Sequence, residues 1–261
     1  MLSEERQSRI VNLVVKNRSM TIQSLMEELG TSESTIRRDL AELDEKGLIQ
    51  KVYGGAIAKN VIFDNKDISI DKRKECNHES KVKIAKYAAS LITDNDFVFL
   101  DAGSTTELMI DYISANNAVF VTNAFLHAKK LSEKGFLTYI LGGQIKLPTE
   151  AVVGEEALVA LRKYHFTKGF WGTNAISYGS GFSTPDVSEA LVKQISIERT
   201  EKPYILADSS KFSQISCVTF ANFDDCCVIT ADLTDENLCY KDYTNVIEVG
   251  RDNKNDLHTD S

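Results

Sequence analysis

The sequence predicts an α/β protein in two unequal parts: a small N-terminal winged helix-turn-helix, then a larger domain built on a mostly parallel sheet. Three observations predict it. Residues 31–47 spell a helix with its start, its stop and a face of hydroxyls and arginines. A short helix ends just ahead of it and a hairpin pattern follows. From Phe97 onward, short apolar runs alternate with amphipathic stretches. The 261 residues allow one large domain or two unequal ones, and the composition, 43% hydrophobic and 26% charged, supplies a real core.

Taken in order, Ser3 to Lys16 carries Ile10, Leu13 and Val14 on one face of a first helix. Thr21 caps a second, with Ile22, Leu25, Met26 and Leu29 apolar and Gly30 ending it. The link from Leu29 to Ser32 is very short, as a helix-turn-helix requires. In the third helix Ser32 is the N-cap, its hydroxyl placed to accept from the amide of Thr35. Glu33 favours the positive end, Ile36, Leu40 and Leu43 form a narrow apolar stripe, and Gly47 supplies the left-handed stop. The opposite face holds Ser34, Thr35, Arg37 and Arg38. Short hydroxyls and paired guanidiniums at the front of a helix suit a major groove, where arginine forks onto guanine or clamps phosphate. A solvated surface helix could carry the same arginines; the flanking helix and hairpin favour the groove. Leu48 to Tyr53 reads as a strand, Gly54-Gly55 as a tight turn and Ala56 to Ala58 as the returning strand, a wing whose Lys51 reaches phosphate.

Glu5-Arg6, Thr35-Ile36-Arg37-Arg38-Asp39-Leu40, Leu43, Gly47 and Gly54-Gly55-Ala56 resemble the N-terminal signature of the DeoR family of bacterial transcriptional regulators, over the whole segment to about Ala58. The resemblance implies double-stranded operator DNA as partner, met by Ser34, Thr35, Arg37, Arg38, Lys51 and Tyr53. Lys51 stands where the family commonly has arginine and Tyr53 where it has histidine; both keep a polar or stacking group on the wing. The net charge of −8 and pI near 5.2 argue against a protein that coats nucleic acid. Up to Ala58, however, eight basic side chains face nine acidic ones, so most of the negative charge lies downstream of the reader.

Leu2 is followed at once by Ser3-Glu4-Glu5-Arg6, unlike a secretory leader, and no apolar run approaches membrane-spanning length. The five cysteines are odd in number and lack C-x-x-C spacing. The expectation is a cytoplasmic protein with reduced thiols, no metal, no cofactor and no membrane partner.

Residues 59–75 read as the connection, without clear period from Lys59 to Asp71, and Lys72 through Ile92 reads as one helix. The second domain spans 76–250, and the polar tail 251–261 reads as disordered. Its apolar runs are Phe97–Leu100, Val119–Val121, Leu137–Leu141, Gly169–Trp171, Tyr204–Ala207 and Cys227–Ile229. The first five end in Asp101-Ala102-Gly103-Ser104-Thr105-Thr106, Thr122-Asn123, Gly142-Gly143, Gly172-Thr173-Asn174 and Asp208-Ser209-Ser210-Lys211. Ligands of open α/β sheets sit outside the carboxyl ends of strands, so these polar ends converge on one site.

Asp101 to Thr106 is the candidate phosphate cradle. Gly103 permits close backbone approach, Ser104 and Thr105 offer hydroxyls, and Thr106 opens a helix whose amides face an anion. No G-K-[ST] follows, which disfavours nucleotide hydrolysis. The plainer reading is a tight strand-to-helix turn with a hydroxyl cap. Lys211 supplies a compensating cation or is a surface lysine; Asn123 and Asn174 hold sugar hydroxyls or cap turns.

These stretches, with Gly154 and Asp208 to Phe212, are similar to the DeoR-family effector domain from about Lys81 to Ile229. The resemblance implies a fold like ribose-5-phosphate isomerase, used to sense a phosphorylated sugar through Asp101, Gly103, Ser104, Thr105, Thr106, Asn123, Gly143, Asn174, Asp208 and Lys211. Gly181 to Asp186, with Glu189-Ala190 and Lys193, resembles members that regulate phosphotransferase-linked sugars. The expectation is a homo-oligomeric repressor of carbohydrate genes with no catalytic residues. The alternative is a sugar-phosphate isomerase with an accessory DNA-binding segment, using Asp186, Glu189 and Lys211 as acid, base and cation.

Overall fold

The computed structural model describes residues 2–17, 19–46, 48–58, 62–63 and 70–250. Gly47, most of the expected connection and the tail 251–261 lie outside the described residues.

The N-terminal part holds α1 (Ser3–Asn17), β1 (Ser19–Thr21), α2 (Ile22–Leu29), α3 (Glu33–Glu45), β2 (Ile49–Val52) and β3 (Gly55–Ala58). Ile10, Val11, Val14, Leu25, Ile36, Leu40, Leu43 and Ile49 meet in one buried cluster, the apolar stripes of three helices closed by the wing. Thr21 caps α2, its hydroxyl accepting from the Ser24 amide at 3.0 Å, and Gly30 ends it in the left-handed conformation. The cap of α3 differs from the sequence expectation. The Ser32 hydroxyl bonds to those of Ser34 and Thr35 (3.1 and 2.9 Å), and the Thr35 amide is met by the Ser32 carbonyl instead. The hairpin turn also sits one residue earlier than expected, at Tyr53-Gly54. Gly54 takes φ +86°, whereas Gly55 begins β3 pressed against β1, where a Cβ would lie 2.1 Å from the Met20 carbonyl oxygen.

Beneath the reader helix, Asp39 is 1% exposed and accepts from Arg6 Nε (2.5 Å) and Nη2 (3.1 Å). Two residues of the signature motif thus serve to fix α1 against α3.

The chain continues through β4 (Ile62–Phe63), α4 (Ile70–Glu75) and α5 (His78–Ser90). The single helix expected from Lys72 is broken: Asn77 sits at φ +52°, which splits α4 from α5. Then come β5 (Phe97–Leu100), α6 (Ser104–Met109), β6 (Val119–Thr122), α7 (Phe125–Glu133), β7 (Leu137–Ile140), β8 (Gln144–Lys146), β9 (Ala151–Val153) and α8 (Glu155–Leu161). They are followed by β10 (Phe166–Gly172), β11 (Ala175–Ser177), β12 (Gly181–Thr184), α9 (Val187–Glu198), β13 (Thr200–Leu206), β14 (Gln214–Ile215), β15 (Val218–Ala221), β16 (Cys227–Ala231) and β17 (Val246–Val249).

Seven strands form one sheet in the order β17-β16-β13-β10-β5-β6-β7, and every pairing in it is parallel. Alternate residues supply its two faces. Phe99, Val121, Trp171, Ile205 and Val228 join α8, α9 and the small antiparallel sheet β11-β12-β15. Val98, Leu100, Phe120, Phe170, Leu206 and Ile229 pack under α5 and α6. The order reverses between β5 and β10, the switch point where a crevice opens beyond the strand ends. The weakly patterned strand β17 and the side hairpins had no counterpart in the sequence reading. No helix among the described residues is long and apolar enough to cross a membrane.

Removing one member of a buried ion pair strands the other charge. Asp39→Ala is expected to destabilise the N-terminal part by about 3 kcal/mol. Chemical unfolding followed by far-UV dichroism checks it, and loss below about 0.5 kcal/mol would contradict the role given to the pair.

Candidate functional sites

On the N-terminal part, the outer face of α3 presents Ser34, Arg37 and Arg38 to solvent, with Thr35 half-buried at its edge. Arg37 is engaged by Glu33, four residues before it, at 2.6 Å. That exposed pair is weak and leaves the guanidinium able to exchange partners. Arg38 makes no hydrogen bond or ion pair among the described residues. On the wing, Lys51 is exposed on β2 and Tyr53 is fully exposed in the turn at its tip. The Lys51 amide donates to Asp44 at 3.0 Å, which ties the wing to α3. Helix and wing together make one polar surface with a stacking group at its end.

In the sheet domain, the loops after β5, β10 and β13 come together with α4 and α5 around a cleft. Its walls include Gly103, Ser104, Thr105, Asn174, Asp208 and Lys211, six of the ten residues expected there. The remaining four stand behind the walls. Asp101 is buried and paired with Lys193, which also donates to the Gly172 carbonyl at 3.1 Å. Burial drives the Asp101 carboxyl upward and the Lys193 charge opposes it. Asn123 accepts from the Ala102 amide at 2.9 Å and so shapes the cradle loop. Thr106 donates to the carbonyls of Asp101 and Gly103 and touches His127; it does not open the helix, which begins at Ser104. Gly143 packs under β9, where a Cβ would lie 2.4 Å from the Val153 carbonyl oxygen. Gly103 itself is extended, so its freedom is steric room and not a special φ.

The sequence reading missed two cations on these walls, Arg73 on α4 and Lys81 on α5, as sites; Lys193 had been singled out only within a family block. A signal was present: Lys81 falls in the stripe of Ile84, Ala85, Ala88 and Ala89, where an apolar residue belongs.

Charge balance gives the cleft its character. Glu189 is held by Lys146 at 3.0 Å and by the Thr149 hydroxyl at 2.5 Å. Asp101 is held by Lys193. Asp208 accepts from Asn77 (2.8 Å) and from the Ser210 amide (3.1 Å), capping the turn at 209–211. Lys81 is 5% exposed, and its ammonium donates only to the Arg73 carbonyl and to Ser104 Oγ (3.2 Å), with no carboxylate in ion-pair range among the described residues. Burial lowers its affinity for a proton, and the nearby charges of Lys211 and Arg73 add to that against the pull of Asp208. A buried ammonium with only neutral acceptors in hydrogen-bond range is an electrostatic deficit that a bound anion would fill.

Of the residues proposed for isomerase chemistry, Glu189 and Lys211 line the cleft, and both carboxylates are held by other partners. Asp186 caps α9, accepting from the Glu189 amide at 2.9 Å, and pairs with Lys146, as does Glu189. Both carboxylates thus share Lys146, and Glu189 also accepts from the Thr149 hydroxyl.

Comparison with known proteins accords with both halves of this geometry. Residues 6–61 match the model of the DeoR-like helix-turn-helix domain, and residues 76–233 match that of the DeoR C terminal sensor domain. The chain belongs to the DeoR family of transcriptional regulators. It is 41% identical over 244 residues to the uncharacterized HTH-type transcriptional regulator FruR of Bacillus subtilis, covering 93% of this chain and 96% of that one. It is 34% identical over 239 residues to the lactose phosphotransferase system repressor of Staphylococcus aureus, covering 90% and 94%. Among solved structures, ribose 5-phosphate isomerase A of Methanocaldococcus jannaschii overlaps 52% of the chain and 55% of its own, at TM-score 0.39 and 17% identity. An overlap that slight assigns no activity. This DeoR-family member is a transcriptional regulator.

Replacing an uncompensated buried charge by an apolar side chain of similar length is neutral to stabilising. Lys81→Met is expected to raise the melting temperature of this regulator by about 2–4 °C in anion-poor buffer. Thermal unfolding with and without added phosphate checks it: phosphate should stabilise the wild type and not the variant. A lower melting temperature for the variant in both buffers would contradict the charge deficit.

Proposed function

We propose that the protein is a repressor of carbohydrate-metabolism genes that is released from its operator by a phosphorylated sugar bound in the cleft of the sheet domain. The observation that supports it most is the buried Lys81 ammonium, given only neutral acceptors, with Lys211 on the same wall beside the Ser104 and Thr105 hydroxyls. A phosphate dianion leaving water needs several charge-assisted donors, and this wall has them. Asp208 and Asn174, polar and on the same wall, suit sugar hydroxyls. The printed name of the Staphylococcus aureus relative, a repressor of a sugar phosphotransferase system, points the same way. Operator DNA and phosphosugars meet in the cytoplasm, which is where this reading places the protein.

Operator binding falls to α3 and the wing. One such reader makes a small interface, and pairing on two half-sites raises affinity. We assign the pairing to the sheet domain, at β7. This edge strand has no charged residue and no proline, and Leu137, Tyr139 and Ile140 are 58%, 46% and 47% exposed, with Phe125 at the start of α7 57% exposed. An uncharged, apolar edge is an open template for a second strand, and two copies can satisfy it antiparallel about a two-fold axis.

Two outcomes follow. Lys211→Ala should abolish release of operator DNA by sugar phosphates in a titration of fluorescent duplex, while binding without effector stays within about two-fold; intact release would remove Lys211 from the site. Tyr139→Glu should convert the oligomer to monomer in sedimentation velocity and weaken operator binding at least ten-fold. An unchanged sedimentation coefficient would place the interface elsewhere.

A further inference from the structure

Arg37 and Arg38 are neighbours on the outer face of α3 and both are exposed, but their surroundings differ. Glu33, one helical turn before Arg37, takes two of its hydrogens on a single oxygen: Nε donates at 2.8 Å and Nη2 lies at 2.6 Å. A guanidinium carries five N–H groups in one rigid plane. The grip on the Nε edge leaves both Nη1 hydrogens and the second Nη2 hydrogen open, at the far end of the side chain. That open end is a two-pronged donor, the shape that meets O6 and N7 of guanine in the major groove.

Arg38 has no such neighbour. Ser34 lies four residues before it and Glu42 four after, and Glu42 accepts from Gln7 at 2.6 Å. Asp39, next in the chain, is buried against Arg6. One arginine therefore belongs to a neutral pair, while the other carries an uncompensated charge.

A carboxylate on a surface that meets phosphate lowers affinity for every duplex, whatever its sequence. As an exposed pair four residues apart, Glu33–Arg37 adds little to the stability of the helix. What it supplies is discrimination, because specificity is a difference of affinities. Over guanine, water leaves the groove, the pair tightens and the open prongs are used. Over another base the prongs lose their acceptors. Arg37 then reaches a phosphate only by leaving Glu33 alone beside the backbone charge, so the wrong sequence gains no compensating contact.

We propose that the two arginines divide the work. Arg38 clamps phosphate and supplies affinity. Arg37 reads one guanine, with Glu33 as the positioning residue that orients it and keeps it off the backbone. The inference rests on α3 being the reader.

The test uses the full-length protein and two fluorescent duplexes, one selected by the wild type from a randomised library and one scrambled, of equal length. Each is titrated over a range of salt. Arg38→Ala should weaken both duplexes alike and flatten the dependence of log K on log[salt] by about one. Arg37→Ala should leave that slope nearly unchanged, since a neutral pair releases no net counterion. It should weaken the selected duplex about ten-fold and the scrambled one less than about two-fold, and accept any base pair at one position where the wild type demands G·C. Glu33→Gln frees Arg37 for phosphate: scrambled DNA should bind several-fold more tightly, with the slope steeper by about one, and the preference for the selected duplex should shrink. Glu33→Asp, which keeps the charge, should keep the weak binding to scrambled DNA. Melting temperatures within about 3 °C of the wild type, as expected for exposed side chains, confine these effects to DNA contact. Equal flattening of the slope by Arg37→Ala and Arg38→Ala, or unchanged scrambled-duplex binding in Glu33→Gln, refutes the division and leaves α3 as the reader. If neither arginine variant weakens the selected duplex, α3 is not the reader and the inference falls with that reading.

Discussion

Seven strands that all run the same way deliver all their carboxyl ends to one edge of the sheet, and everything at the sensing end depends on that. A parallel sheet needs a crossover after each strand, so each strand end must turn into a loop or helix there. Where the strand order reverses, between β5 and β10, the crossovers leave to opposite faces and a crevice remains. The loops 102–105, 172–174 and 207–211 meet in it because of this topology, not because of any affinity among themselves.

Within the crevice, two electrostatic arrangements do different work. The Asp101–Lys193 pair is closed upon itself: carboxylate, ammonium and the Gly172 backbone satisfy one another, and the loops after β5 and β10 are locked together. Lys81 is the opposite case, a buried ammonium given only neutral acceptors. The first kind of burial fixes a scaffold. The second costs stability in the absence of a partner and is retained where a partner of opposite charge completes it.

The N-terminal part shows the same division of labour in a smaller frame. Asp39, one residue beyond the two arginines of the motif, points inward and anchors α1 through Arg6, so its neighbours Arg37 and Arg38 are held outward. A recognition surface is only as well placed as the buried pair behind it. The wing is placed by similar means: Gly55 lets β3 lie against β1, and Asp44 takes the Lys51 amide.

Local sequence determined a good deal here. The caps at Thr21 and Gly30, the stripe of Ile36, Leu40 and Leu43, and the six apolar runs were all legible, because capping and periodicity depend on neighbours in the chain. So was the polar character of the strand ends. What only the tertiary structure decided is which of those polar residues face the cleft. Asn123, Thr106 and Gly143 turned out to support loops, since a side chain's role at a strand end depends on which donors its neighbours in space leave unsatisfied. Arg73 and Lys81 joined the cleft from helices whose place over the sheet no local pattern specifies. The break at Asn77, read in the sequence as continuous helix, is decided in the same way: its side chain donates to Asp208, 131 residues away along the chain.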